Sequence, residues 1–161
     1  MRKQSRWFIG LVLAIGLVAG GSVAYASDST VTLTARLTGA QEVPPADPDG
    51  RGKADMAVDV DGGQICFDVK HNDTATPNRG HIHRGATGVN GPIVVTFFEL
   101  RPGDALATDP RHDEIERGRL QDCVSAAPTL LAEIVANPEN FYVNVHNSRF
   151  PGGAIRCQIE R

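Results

Sequence analysis

Histidine stands at positions 71, 81, 83, 112 and 146 of this 161-residue chain, and the spacing of one pair is chemically informative. In His81-Ile82-His83 the two imidazoles are two residues apart. On a β-strand such residues project from the same face, so both rings can reach one ion without distorting the backbone. In Phe141-Tyr142-Val143-Asn144-Val145-His146, Asn144 and His146 share the face opposite Val143 and Val145. A neighbouring strand would bring His146 to the pair. Three neutral imidazoles suit copper or zinc, and in an oxidising compartment, with no thiolate in the set, they favour copper(II). His71 and His112 are candidates for a fourth ligand, although each also reads as an exposed loop histidine. The alternative for the pair itself is a polar strand face making ordinary hydrogen bonds. Gly80, Gly85, Gly88 and Gly91 crowd the same stretch, where they allow tight turns and a close backbone approach to the imidazoles.

Those side chains need strands to hold them, and the rest of the sequence supplies strand patterns. Val31, Leu33, Ala35 and Leu37 alternate with Thr32, Thr34, Arg36 and Thr38, which predicts a strand with one buried face. The prolines of Val43-Pro44-Pro45 and Pro48 end it. Strands over about Lys53 to Val60 and Gln64 to Lys70 meet at Asp61-Gly62-Gly63, a hairpin signal. Further strands are expected at Gly80 to Arg84, Ile93 to Leu100, Arg119 to Val124, Phe141 to His146 and Ala154 to Ile159. Eight short antiparallel strands predict an all-β fold, a sandwich or a small barrel. One short helix is expected over Pro128 to Ala136, with proline where its missing donor does no harm and Leu130, Leu131, Ile134 and Val135 on one side. Arg101 to Arg117 reads as a long surface loop.

The uncharged run Trp7 to Ala26 follows Arg2, Lys3 and Arg6 and ends in Ala24-Tyr25-Ala26, the pattern of a secretory signal with a small-residue cleavage site. An uncleaved membrane anchor is the alternative, since twenty uncharged residues can just span a bilayer. Cleavage after Ala26 leaves one domain over 27–161. The leader removes three of sixteen basic residues and none of nineteen acids, so thirteen against nineteen remain, a net −6. That balance argues against nucleic acid as a partner. An odd count of three cysteines in an exported chain implies one bridge and one leftover thiol. Cys66 faces away from Ile65, Phe67 and Val69, whereas Cys157 shares a face with Ile155 and Ile159. This predicts a Cys66–Cys123 bridge, with Cys123–Cys157 the alternative should the register differ. Asp47-Pro48-Asp49-Gly50 lacks the carboxylate at the twelfth position that a calcium loop needs. No nucleophile elbow supports Ser/His/Asp catalysis. Asn72-Asp73-Thr74 is a glycosylation sequon, relevant only in a host that glycosylates exported proteins.

Five segments in order resemble the CHRD (chordin-type) domain. They are Leu37-Thr38-Gly39-Ala40-Gln41-Glu42-Val43-Pro44-Pro45, Gly80-His81-Ile82-His83-Arg84-Gly85, Gly88-Val89-Asn90-Gly91-Pro92, Tyr142-Val143-Asn144-Val145-His146 and Phe150-Pro151-Gly152-Gly153-Ala154-Ile155-Arg156. The resemblance runs from about Val31 to Ile159. It implies an extracytoplasmic domain, secreted or in the cell envelope, and leaves its activity open. A second, weaker resemblance is to copper/zinc superoxide dismutases, which are Greek-key sandwiches with a His-x-His pair, a strand-borne third histidine and a last strand bearing Arg and Cys. It implies His81, His83 and His146 as copper ligands and Arg156 as a catalytic cation that attracts an anionic substrate, a role open to Arg149 as well. No His/Asp cluster like the dismutase zinc loop follows His83, so zinc is not expected. The sequence thus points to an exported CHRD-domain protein with a mononuclear copper site that acts on superoxide. The alternative is a non-enzymatic binding or structural module without metal, whose partner is an envelope protein.

Overall fold

The computed structural model describes residues 30–100 and 111–161. The expected leader and Arg101 to Pro110 of the expected loop lie outside the described residues. In β1 (Thr30–Thr38), Leu33, Ala35 and Leu37 are at most 1% exposed, as their alternation with threonine and arginine predicts. β1 pairs antiparallel with β2 (Arg51–Asp59) from Thr30↔Asp59 to Thr38↔Arg51. β2 pairs with β3 (Gln64–Asn72) through the expected hairpin. The Asp59 carboxylate accepts the Gly62 N–H at 2.8 Å, and Gly63 has φ +63°, in the left-handed region glycine favours. Ala54, Met56 and Val58 of β2 and Ile65, Phe67 and Val69 of β3 continue the buried face.

The remaining strands are β4 (Pro77–Arg84), β5 (Ile93–Glu99), β6 (Arg119–Ser125), β7 (Phe141–Asn147) and β8 (Ile155–Gln158). All eight form one antiparallel sheet in the order β5-β4-β7-β8-β1-β2-β3-β6. Its two edge strands, β5 and β6, come into contact, and Phe67 of β3 stacks on Phe97 of β5 with ring centroids 4.4 Å apart. The sheet therefore curls into a nearly closed sandwich around a single apolar core. β4, β5 and β6 follow one another round the curl while β7 returns beside β4, which is Greek-key order.

Among the described residues two α-helices flank the sheet where one was expected. α1 (His112–Glu116) occupies the end of the stretch read as loop. Five residues are too few to show a helical period, yet Ile115 is only 1% exposed and anchors the turn in the core. α2 (Pro128–Ala136) runs over the expected residues and buries Leu131 and Ile134, with Pro128 in its first turn. A disulfide joins Cys66 of β3 to Cys123 of β6, which face each other in register, and Cys157 is a free, buried thiol. In the chain-entropy picture, closing a loop of this length stabilises by about 4 kcal/mol. Among the described residues no helix is long and apolar enough to cross a membrane.

Candidate metal centre

β7 is buried on both faces along its whole length. Phe141, Val143 and Val145 point into the core, which leaves Tyr142, Asn144 and His146 on the outer face at 2%, 3% and 6% exposure. Alternation read from sequence places such polar positions in solvent. Here the loops between strands cover them. β4 lies beside β7 with His81 opposite Asn144 and His83 opposite Tyr142, so the His-x-His pair shares this covered face while Ile82 enters the core. The β4–β5 pairing shifts register on either side of His81-Ile82, the kind of irregularity that re-aims side chains next to sites.

One ring nitrogen from each of His81, His83 and His146 lies within 4.8 Å of the other two. The closest approach is His81 Nδ1 to His146 Nε2, 3.2 Å. Two rings are fixed from behind. His83 donates its Nδ1–H to the Gly91 carbonyl at 2.9 Å, and His146 donates its own to the Pro151 carbonyl at 3.1 Å. Each bond leaves Nε2 with the lone pair, and His83 Nε2 is buried with no hydrogen-bond partner among the described residues. Burial, followed by the neighbouring His83 and Arg79, lowers the His81 pKa to about 4. His146 falls to about 4 through burial and His81. Burial and, less strongly, Arg156 lower His83 as well. All three rings are therefore uncharged at neutral pH, the state in which imidazole binds metal.

The covering loops rest on a few close contacts. Gly91 also donates its N–H to the Tyr142 hydroxyl at 3.2 Å, and a Cβ there would sit 1.6 Å from the Arg84 carbonyl oxygen. Only glycine fits. Asn147 accepts the N–H groups of Arg149 and Phe150 at 3.0 and 2.9 Å and so shapes the turn that presents the Pro151 carbonyl. Arg79 donates to the same carbonyl at 2.8 Å. Glu42, 6% exposed, accepts from Asn144 Nδ2 at 3.3 Å. Burial outweighs its attraction to Arg156 and raises its pKa to about 7.

The other residues singled out from sequence lie as follows. Arg156 is 1% exposed, donates to Asn90 Oδ1 at 2.9 Å and to the Val89 carbonyl at 3.1 Å, and lies 3.8 Å from the Tyr142 ring centroid. Arg149 is exposed and lines a groove of about 340 Å³ between residues 42–46 and 149–153. His71 is half-buried and bonds the Ile115 carbonyl through Nε2 at 2.9 Å, so it braces α1 and is absent from the three-histidine group. The side chain of His112 lies outside the described residues. Asp47 is buried at 7% exposure, and its carboxylate accepts from the Asp49 and Gly50 N–H groups and from the hydroxyl of the distant Thr74. Gly91 is one of the glycines expected to bring backbone close to the imidazoles, and its carbonyl does so. Tyr142, Pro151, Arg79 and Glu42 carried no site signal of their own in the sequence, because their roles depend on how the chain folds around the sheet.

Against this geometry, the CHRD domain family matches residues 33–159, most of the chain, and the protein belongs to that family. No curated protein and no solved structure matches the chain.

The residues present fit a metal ion. The donor set is three uncharged imidazoles with ring nitrogens converging, two of them oriented by backbone carbonyls, the usual support for metal-ligating histidines. Neutral His81 and His146 share one proton across their 3.2 Å contact. To offer Nδ1 to a cation, His81 would carry its proton on Nε2 instead.

Proposed function

We propose that this is an exported CHRD-domain protein that binds one copper ion through His81 Nδ1, His83 Nε2 and His146 Nε2, and that it acts on superoxide. The observation that carries the reading is the convergence of three ring nitrogens within 4.8 Å on a covered sheet face. Copper(II) exceeds zinc in affinity at nitrogen sites, and the group contains no thiolate or carboxylate to favour another metal. The signal-like leader and the Cys66–Cys123 bridge support an oxidising, extracytoplasmic location. Copper would supply one-electron chemistry by cycling between its two oxidation states.

The chain's own residues supply the electrostatics. Arg79 acts on His81 and His146, and Arg156 acts on His83, in each case disfavouring a proton on the ring. The same positive potential attracts a small anion. Arg156 acts through its field, because its donors are engaged and solvent scarcely reaches it. Arg149 lies at the open groove next to Pro151, whose carbonyl braces His146, and adds to the positive potential there. The copper-loaded protein is expected to dismute superoxide faster than the variant with all three histidines replaced by alanine, at a rate that falls as salt rises. Equal rates would remove the enzymatic reading. A non-enzymatic envelope module remains the second reading, supported by the matched family alone.

A further inference from the structure

Around His83 the contacts close a ring of interactions. The Arg156 guanidinium lies 3.8 Å from the Tyr142 ring centroid, and Tyr142 stacks on His83 at 4.8 Å with planes 8° apart. The same guanidinium holds Asn90 Oδ1 and the Val89 carbonyl. The next residue, Gly91, grips both the His83 Nδ1–H and the Tyr142 hydroxyl. Asn90 also donates to the Val43 carbonyl at 2.7 Å, which joins this segment to the other covering loop. Val89 is 52% exposed, so burial does not hold the segment down and its polar bonds must.

We propose that Arg156 is a positioning residue that latches segment 89–91 over Tyr142, fixes the orientation and tautomer of His83, and thereby sets the metal affinity of the three-histidine centre. The proposal rests on the metal reading of that centre. It assigns Arg156 a mechanical part that its charge alone cannot play. A guanidinium offers two parallel donors in a plane that stacks on an aromatic ring, whereas lysine carries the same charge as a point on a flexible stem.

The test uses the tag-free full chain and the variants Arg156→Lys and Asn90→Ala. Asn90 is exposed, so its substitution opens the latch from outside and decides the matter if Arg156→Lys fails to fold. Copper(II) affinity is read by competition with a chelator, and the His83 Nδ1–H is read by NMR in the metal-free protein. Both variants are expected to bind copper about 10–100-fold more weakly, the usual cost of losing support behind a ligand. Both should also lose the protected His83 ring signal. Wild-type affinity together with an intact ring signal in the variants would overturn the latch. If the wild type binds no copper while the ring signal still depends on Arg156 and Asn90, the metal reading falls and the latch stands.

Discussion

His83 shows what a single side chain gains from its setting. An imidazole on a strand is ordinarily a solvated group that protonates near pH 6.5. Here Tyr142 covers one face, Gly91 takes the Nδ1–H, and Nε2 is left with a bare lone pair. The burial that prepares the trio for metal also makes the metal-free protein sensitive to acid. His81 and His146 titrate at about 4 when folded, below the ordinary 6.5, so the unfolded chain binds more protons between those values. Their contribution is complete above about 6.5 and is lost as pH falls toward 4. Melting temperatures of the apo protein should drop across that window, and less so in His81→Ala. Glu42 works in the opposite direction. Its folded value of about 7 lies above the ordinary 4.5, so its contribution is complete below 4.5 and lost as pH rises to 7. Glu42→Gln should therefore be the more stable protein at pH 8, by roughly 1–2 kcal/mol once residual solvation is discounted, and should match the wild type near pH 4. Denaturant titration at the two pH values checks both halves of that statement.

At the scale of elements, what the sequence made legible divides along physical lines. β1, β2, β3 and α2 could be read because their apolar periods are long and one face is wet. The Cys66–Cys123 bridge followed from face assignment, since a residue two positions along a strand returns to the same side. α1 stayed hidden because one turn has no period, and the covering of β7 stayed hidden because nothing local to Tyr142, Asn144 and His146 encodes the loops that fold over them. The His-x-His pair was legible for the same reason as the strands. The groups that brace the rings were not, since the Gly91 and Pro151 carbonyls arrive from loops and Arg79, on β4 itself, meets Pro151 only once the chain has folded. The bridge at the β3–β6 end should matter more to stability than to the metal centre on β4 and β7. Replacing Cys66 and Cys123 together by serine is expected to cost about 2–5 kcal/mol while leaving copper affinity within about twofold. Chemical unfolding and copper titration of the same preparation measure the two effects side by side.

For the whole molecule, the curled sheet makes two separate environments. Its interior is a continuous apolar core built from every strand, and the outer face of β4, β7 and β8 carries a second, polar interior roofed by loops. The first holds the fold together and the second gathers the three histidines, so the histidines can be exchanged without dismantling the core. Copper(II) titration of the tag-free chain, followed by electron paramagnetic resonance, tests the central claim most directly. The account predicts one tightly bound copper per chain, with nitrogen couplings from three imidazoles that vanish in the His81→Ala, His83→Ala double variant. Copper bound as tightly by that variant as by the wild type, or no stoichiometric copper in the wild type, would contradict it.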